Sequence, residues 1–186
     1  TPLTLAETAS VFGEMMTFRT LLAECSPETK KYLLASKIED MINTVIRQIS
    51  FFEFEKLVHN KRKNGELSSD QICEFWMKTQ SESLGPHIEL TEGYKYFWTY
   101  IPHFIHTPFY VYAYAFGDCL VNVLIQLYDE GLPDFKNNYI ELLKSGGSKH
   151  YSEVLRPFNV DLKNKDSWQK GLSMICNLID EFENSL

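Results

Sequence analysis

The sequence predicts an all-α domain of five to seven helices, and three observations carry the prediction. Apolar residues recur at spacings of three and four in at least four segments. Helix-start and helix-stop residues punctuate those segments, whereas strand signals are few. With 186 residues, 44% of them hydrophobic, the chain can bury one real core or two lobes around a cleft.

The elements follow in order. Thr1-Pro2 offers a cap with proline at the first helical position, and Thr4 with Glu7 is a capping-box alternative. The first helix then runs to about Ala23. Ser26-Pro27-Glu28 starts a second, whose Leu34, Ile38, Met41, Val45, Ile49 and Phe52 carry it to about His59. The basic cluster from His59 to Lys63 reads as its solvated end. Ser68 or Ser69 caps a third helix around Ile72 to Thr79, and a loop or extended piece follows through Phe104. Thr107-Pro108 reads as the cap of a helix to about Asp129. Within it FYVYAYAF alternates like a strand, but its continuation into CLVNVLIQLYDEG favours helix. FKNNYIELLKSGG is a helix closed by glycine, and the last amphipathic helix turns Trp168, Leu172, Ile175 and Ile179 inward. Val11, Phe18, Leu34, Ile38, Val45, Phe52, Leu172 and Ile175 are expected to share one core.

A net charge of −7 argues against a nucleic-acid partner. No apolar run approaches the roughly 20 residues that span a bilayer, so no membrane role is expected. The four cysteines are widely spaced without a C-x-x-C pair, which suits buried free thiols in a reducing cytoplasm.

Two constellations stand out. Glu7 and Glu14 lie seven residues apart, so on a helix turning about 100° per residue they return to within about 20° of each other. Leu3, Val11, Phe18, Leu21 and Leu22 crowd the same face, with Met15 at its flank. Burying an ionised carboxylate costs several kcal/mol unless a cation or hydrogen-bond donors meet it. A capping box accounts for Glu7 and leaves Glu14 unexplained; a metal ion is the alternative. The second constellation is IPHFIHTPFYVYAYAFG, with His103, His106, Tyr110, Tyr112 and Tyr114. Tyr110 and Tyr114 share a helical face from which Tyr112 points away. Such groups beside a cleft can donate hydrogen bonds to a developing oxyanion; the alternative is an aromatic core helix whose hydroxyls reach the surface. Gly146-Gly147 reads as a helix stop without a phosphate-loop pattern.

TPLTLAETASVFGEMM, IPHFIHTPFYVYAYAFGD and LLKSGGSKHYSEVLRPFNVDL, in that order, resemble the C-terminal part of the oligoendopeptidase F group of thimet-oligopeptidase-like zinc peptidases. The resemblance covers nearly the whole chain, residues 1–186, and the first block is its most specific element. It implies a helical piece of a catalytic domain that forms one wall of a peptide-binding channel. In that family two histidines of a His-Glu-x-x-His helix bind zinc, and a Glu from a downstream helix is the third ligand. Glu7 matches that ligand, and Glu14 a second, supporting acid. His103 matches a histidine that, with tyrosine, holds substrate and stabilises the oxyanion. The tyrosine register can be laid on Tyr110, Tyr112 or Tyr114, and face geometry favours Tyr110 and Tyr114. The implied substrates are short peptides, cut at internal bonds.

The chain departs from the family in one respect. It contains no His-Glu-x-x-His, so two ligands and the general base are missing. A chain opening at Thr1 fits a piece that begins just after that helix, and by itself it is expected to be inactive and to hold zinc weakly at best. The competing class is a non-catalytic helical module whose aromatic groove binds a peptide or partner helix.

Overall fold

The computed structural model describes Leu5 and residues 7–185. Among these the chain forms nine α-helices and no strand. The expected five to seven helices fall short because two of the nine, His103–His106 and Tyr151–Val154, are single turns, too short for periodicity to reveal. The proposed caps at Thr1-Pro2 and Thr4 lie outside the described residues.

The residues divide into two compact units, Thr1–Met41 with Phe116–Leu186, and Ile42–Ala115. The expectation of one shared core is thereby corrected: Val45 and Phe52 belong to the second unit, and the other six to the first. Of the eight, Phe18, Leu34, Val45 and Ile175 are buried, and Val11, Ile38, Phe52 and Leu172 half-buried.

In the first unit, α1 (Thr8–Glu24) packs on α2 (Pro27–Met41), and α2 packs along α9 (Lys165–Glu183), where Lys30 and Glu181 pair at 2.7 Å. α6 (Tyr112–Asp129) supplies the centre: Leu120 to Ile125 are all buried, as in a helix covered on every side. Leu120 and Leu124 join Leu5, Phe135, Leu142 and Phe158 in one cluster with α7 (Phe135–Ser145) and the single turn α8 (Tyr151–Val154). Gly171 of α9 meets α6 so closely that a Cβ there would lie 2.5 Å from the Cys119 carbonyl oxygen. The thiols divide: Cys73 and Cys119 are buried as expected, but Cys25 is half-buried and Cys176 exposed, all four free.

The second unit opens with a π-helical segment, Ile42–Arg47, followed by α3 (Gln48–Arg62) and α4 (Ser69–Leu84). A π-turn holds one residue more than an α-turn and so shifts everything after it. The apolar spacing that ran through Leu34, Met41 and Val45 therefore fails beyond it. Ile49 is exposed and Phe52 half-buried, while Ser50, Phe51, Phe54 and Glu55 turn inward. Ser68 caps α4 through a reciprocal box with Gln71. A 3-10 helix, Glu92–Tyr100, and the single turn α5 (His103–His106) fill the stretch expected to be a loop. Phe51, Phe54, Trp76 and Val111 form the core, and the Trp76 indole N–H donates to the Tyr94 carbonyl at 3.0 Å.

Candidate functional site

Glu7 stands at the N-cap of α1, half-buried, with φ −92° and ψ −3°. Its carbonyl accepts the Val11 N–H at 3.1 Å and the Ser10 hydroxyl at 3.0 Å, while its side chain makes no capping bond. Gly117 of α6 lies against the stem of that side chain, and a Cβ on it would come within 3.1 Å of the Glu7 Cβ. A larger residue at 117 would therefore press on Glu7 directly.

Glu14 does not lie in the buried stripe. Its side chain is 60% exposed and meets Lys37 of α2, whose own side chain is only 7% exposed, at 2.5 Å. The charge brought inside the first unit is the lysine. Lys37 sits three residues past Leu34 and four before Met41, so its place on the apolar face of α2 was legible in the spacing. Asp118, next to Gly117, is the buried acid of this region. Burial pushes its carboxyl up to about 6, against the pull of the Lys37 charge and a 3.0 Å bond donated by the Asn122 amide.

The second unit brings His103, Tyr110 and Tyr114 together. His103 Nε2 lies 3.1 Å from the Tyr114 hydroxyl. Its ring stacks at 6.0 Å from Tyr110, and the two tyrosine rings meet edge-on at 5.3 Å. Tyr112 points elsewhere and packs on Phe52 at 5.4 Å. Neither Thr107 nor Pro108 caps α6, as the sequence had suggested; the helix starts at Tyr112. His103 lies on α5 rather than in a lead-in loop. Between these two helices, residues 107–110 form a turn closed by the Tyr110 N–H on the Thr107 carbonyl at 3.2 Å.

The third residue of that turn, Phe109, has φ 60°. Glycine ordinarily fills such a position, because the left-handed region costs an L-residue roughly 1–2 kcal/mol. Glu55 of α3 meets the strained residue. Only 2% exposed, it accepts the Phe109 N–H on Oε1 at 2.9 Å, and its buried Oε2 has no hydrogen-bond partner among the described residues. A hydrogen bond to a charged group contributes about 1.5–3 kcal/mol, enough to offset the strain. Burial raises the Glu55 pKa, while the Phe109 amide and the nearby His59 oppose the rise. Sequence reasoning did not single out Glu55. Its signal, a Glu one residue after Phe54 and four after Phe51, appears only once the π-segment's shift of register is known.

Among the described residues no three His, Cys, Asp or Glu side chains gather as a metal site. A catalytic zinc takes three protein ligands. The described residues therefore do not make such a site unaided.

The profile of peptidase family M3 matches residues 1–174, so the chain belongs to that family. It is 32% identical over 180 residues to an oligoendopeptidase F homologue of Borreliella burgdorferi, covering 96% of this chain and 30% of that protein. To oligopeptidase PepF of Bacillus subtilis it is 31% identical over 185 residues, or 98% of this chain and 27% of the relative. The crystal structure of oligoendopeptidase-F from Enterococcus faecium superposes with a TM-score of 0.88 at 28% identity, over 99% of this chain and 36% of that one. The chain spans less than a third of the length of these curated relatives.

Proposed function

With membership of peptidase family M3 as the premise, we propose that this chain is the C-terminal helical part of a zinc-dependent endopeptidase that hydrolyses internal bonds of short peptides in the cytoplasm. The observation that carries the reading is the convergence of His103, Tyr110 and Tyr114, with Tyr112 turned away.

In this reading Glu7 is one of three zinc ligands, the other two lying outside the chain, and Glu14 is a supporting acid. The chain's own contribution to the reaction is to bind and orient. With Nε2 protonated, His103 donates to the Tyr114 hydroxyl and orients it, so that the phenol O–H can be donated to the oxyanion of a tetrahedral intermediate. Tyr110 supplies a second donor beside it. These donors act most strongly where charge develops, so they lower the barrier more than they tighten substrate binding. The chain by itself, without the other ligands and the base, is inactive. Its four free cysteines support a reducing compartment.

The test is a set of variants in the full-length peptidase, assayed on a short fluorogenic peptide. Tyr110→Phe and Tyr114→Phe each lower kcat on the order of 100-fold with little change in KM, and Tyr112→Phe is nearly silent. Glu7→Gln abolishes activity and lowers zinc content. Unchanged kcat in both the Tyr110 and Tyr114 variants makes the cluster an aromatic core and removes the reading. Unchanged zinc in Glu7→Gln removes Glu7 from the ligand set.

A further inference from the structure

Glu55 holds the backbone on which one of the tyrosines stands. Phe109 occupies the glycine position of the 107–110 turn, and Tyr110 is the next residue. The Ala113 N–H in turn bonds the Tyr110 carbonyl at 2.9 Å, and the Tyr114 N–H bonds the Val111 carbonyl at 3.3 Å, so the first turn of α6 is built directly on this bend. The Phe109 N–H donates to the Glu55 carboxylate, and Glu55 is fixed by burial on a helix rather than a loop. A bulky aromatic residue in the left-handed region persists only where its surroundings over-determine it, and such strain gathers at functional sites. Two further observations set Glu55 apart from an ordinary buried acid. Its second oxygen is buried with no hydrogen-bond partner among the described residues, so the Phe109 amide is what this carboxylate holds. The Phe109 ring is also gripped from α3, packing 4.8 Å from the His59 ring and 6.2 Å from that of Phe52.

We propose that Glu55 is a positioning residue of the peptidase: by accepting the Phe109 amide it locks the left-handed turn, and the turn sets where the Tyr110 and Tyr114 hydroxyls stand relative to His103. The inference rests on the oxyanion role proposed above. It predicts that the hydrogen bond, not the negative charge, is what the reaction needs.

Three variants of the full-length peptidase test it by kcat, KM and thermal unfolding. Glu55→Gln retains an acceptor oxygen and keeps kcat within about threefold of wild type. Glu55→Leu fills the same buried space without an acceptor. It lowers kcat at least tenfold and moves KM less than threefold, while the unfolding temperature changes little, because relief of a buried carboxylate offsets the loss of the Phe109 hydrogen bond. Adding Phe109→Gly to Glu55→Leu recovers at least half of the lost rate on a logarithmic scale, since glycine adopts the turn unaided. A Glu55→Leu enzyme with wild-type kcat, or one whose rate falls only in step with its stability, overturns the inference. So does a double variant with no recovery. Should Glu55→Leu not fold, Phe109→Gly alone decides: it must keep kcat within about threefold, and a larger loss counts against the proposal. The tyrosine variants separate the two layers. If Tyr110→Phe and Tyr114→Phe keep wild-type kcat, the oxyanion reading fails and this inference with it; if they lose rate while Glu55→Leu does not, only the present inference fails.

Discussion

Each unit of the molecule buries a carboxylate, and the two are handled in opposite ways. Asp118 of the first unit lies in the field of a buried lysine, Lys37, and takes one amide bond from Asn122. Among the described residues, Glu55 of the second unit takes a single bond, from the backbone of a strained turn, and its other oxygen has no hydrogen-bond partner. Burial raises the pKa of both. The difference is in what each arrangement delivers. A cation near a buried acid offsets desolvation and so acts on stability, whereas an acid holding one amide fixes the conformation of one turn and so acts on geometry. Disturbing the first arrangement should therefore appear in unfolding curves, and disturbing the second in rates.

The largest stability effect expected is that of Lys37→Met. It removes the buried partner of Glu14 and the charge that opposes the rise of the Asp118 pKa, a loss approaching the roughly 3–5 kcal/mol seen when one member of a buried pair is removed. Urea unfolding of the chain near pH 7.5 measures it, and a loss below about 1 kcal/mol would mean that Asp118 does not depend on Lys37.

Next comes Asp118→Asn, read through pH. The folded-state pKa of about 6 lies above the ordinary 3.8, so the folded chain holds this proton more tightly than the unfolded one. Asp118 therefore costs nothing below about pH 4, stability falls as pH rises from there to about 6, and the cost is constant above. A gap of about two units, at about 1.4 kcal/mol each, amounts to roughly 3 kcal/mol. The Asn variant should lose that slope; an identical pH–stability curve would show that the acid titrates normally.

The smallest effect belongs to Glu14→Gln. That carboxylate is largely exposed, and exposed ion pairs contribute about 0–1 kcal/mol. A larger loss in the same unfolding assay would make Glu14, rather than Asp118, the main partner of Lys37.

Helix positions were legible in the sequence wherever spacing was regular and a cap was chemically explicit, as at Ser68 with Gln71 or Gly146 after Ser145. The pairing of Tyr110 with Tyr114 and the turning-away of Tyr112 also followed from the helical wheel, although Tyr110 itself precedes the helix. Three things were not legible. Glu14 looked buried because a wheel registers angle and not the neighbouring helix, which in fact presents Lys37 to it at the edge of the stripe. Thr107-Pro108 looked like a cap because proline suits both a first helical turn and the second position of a tight turn, and only the left-handed Phe109 distinguishes them. Glu55 was hidden by the π-segment, since the pattern upstream of it assigns the inward face to Ile49 and Phe52.

The π-segment thus works as a phase offset in an otherwise continuous helical stretch from Pro27 to Arg62. One extra residue rotates all that follows by about 100°, and that rotation decides which carboxylate of FFEFEKLV faces inward. Removing one residue between Ile42 and Arg47 would let an α-turn replace the π-turn and leave Ser50, Phe51, Phe54 and Glu55 facing inward, whereas tightening the π-turn with every residue kept would return Ile49 and Phe52 to the buried side and swing Glu55 away from Phe109. A single-residue deletion there therefore disturbs the inward face of α3 less than a deletion within α3 itself. The π-turn, rather than the identity of any one side chain in it, keeps Glu55 facing the tyrosine turn.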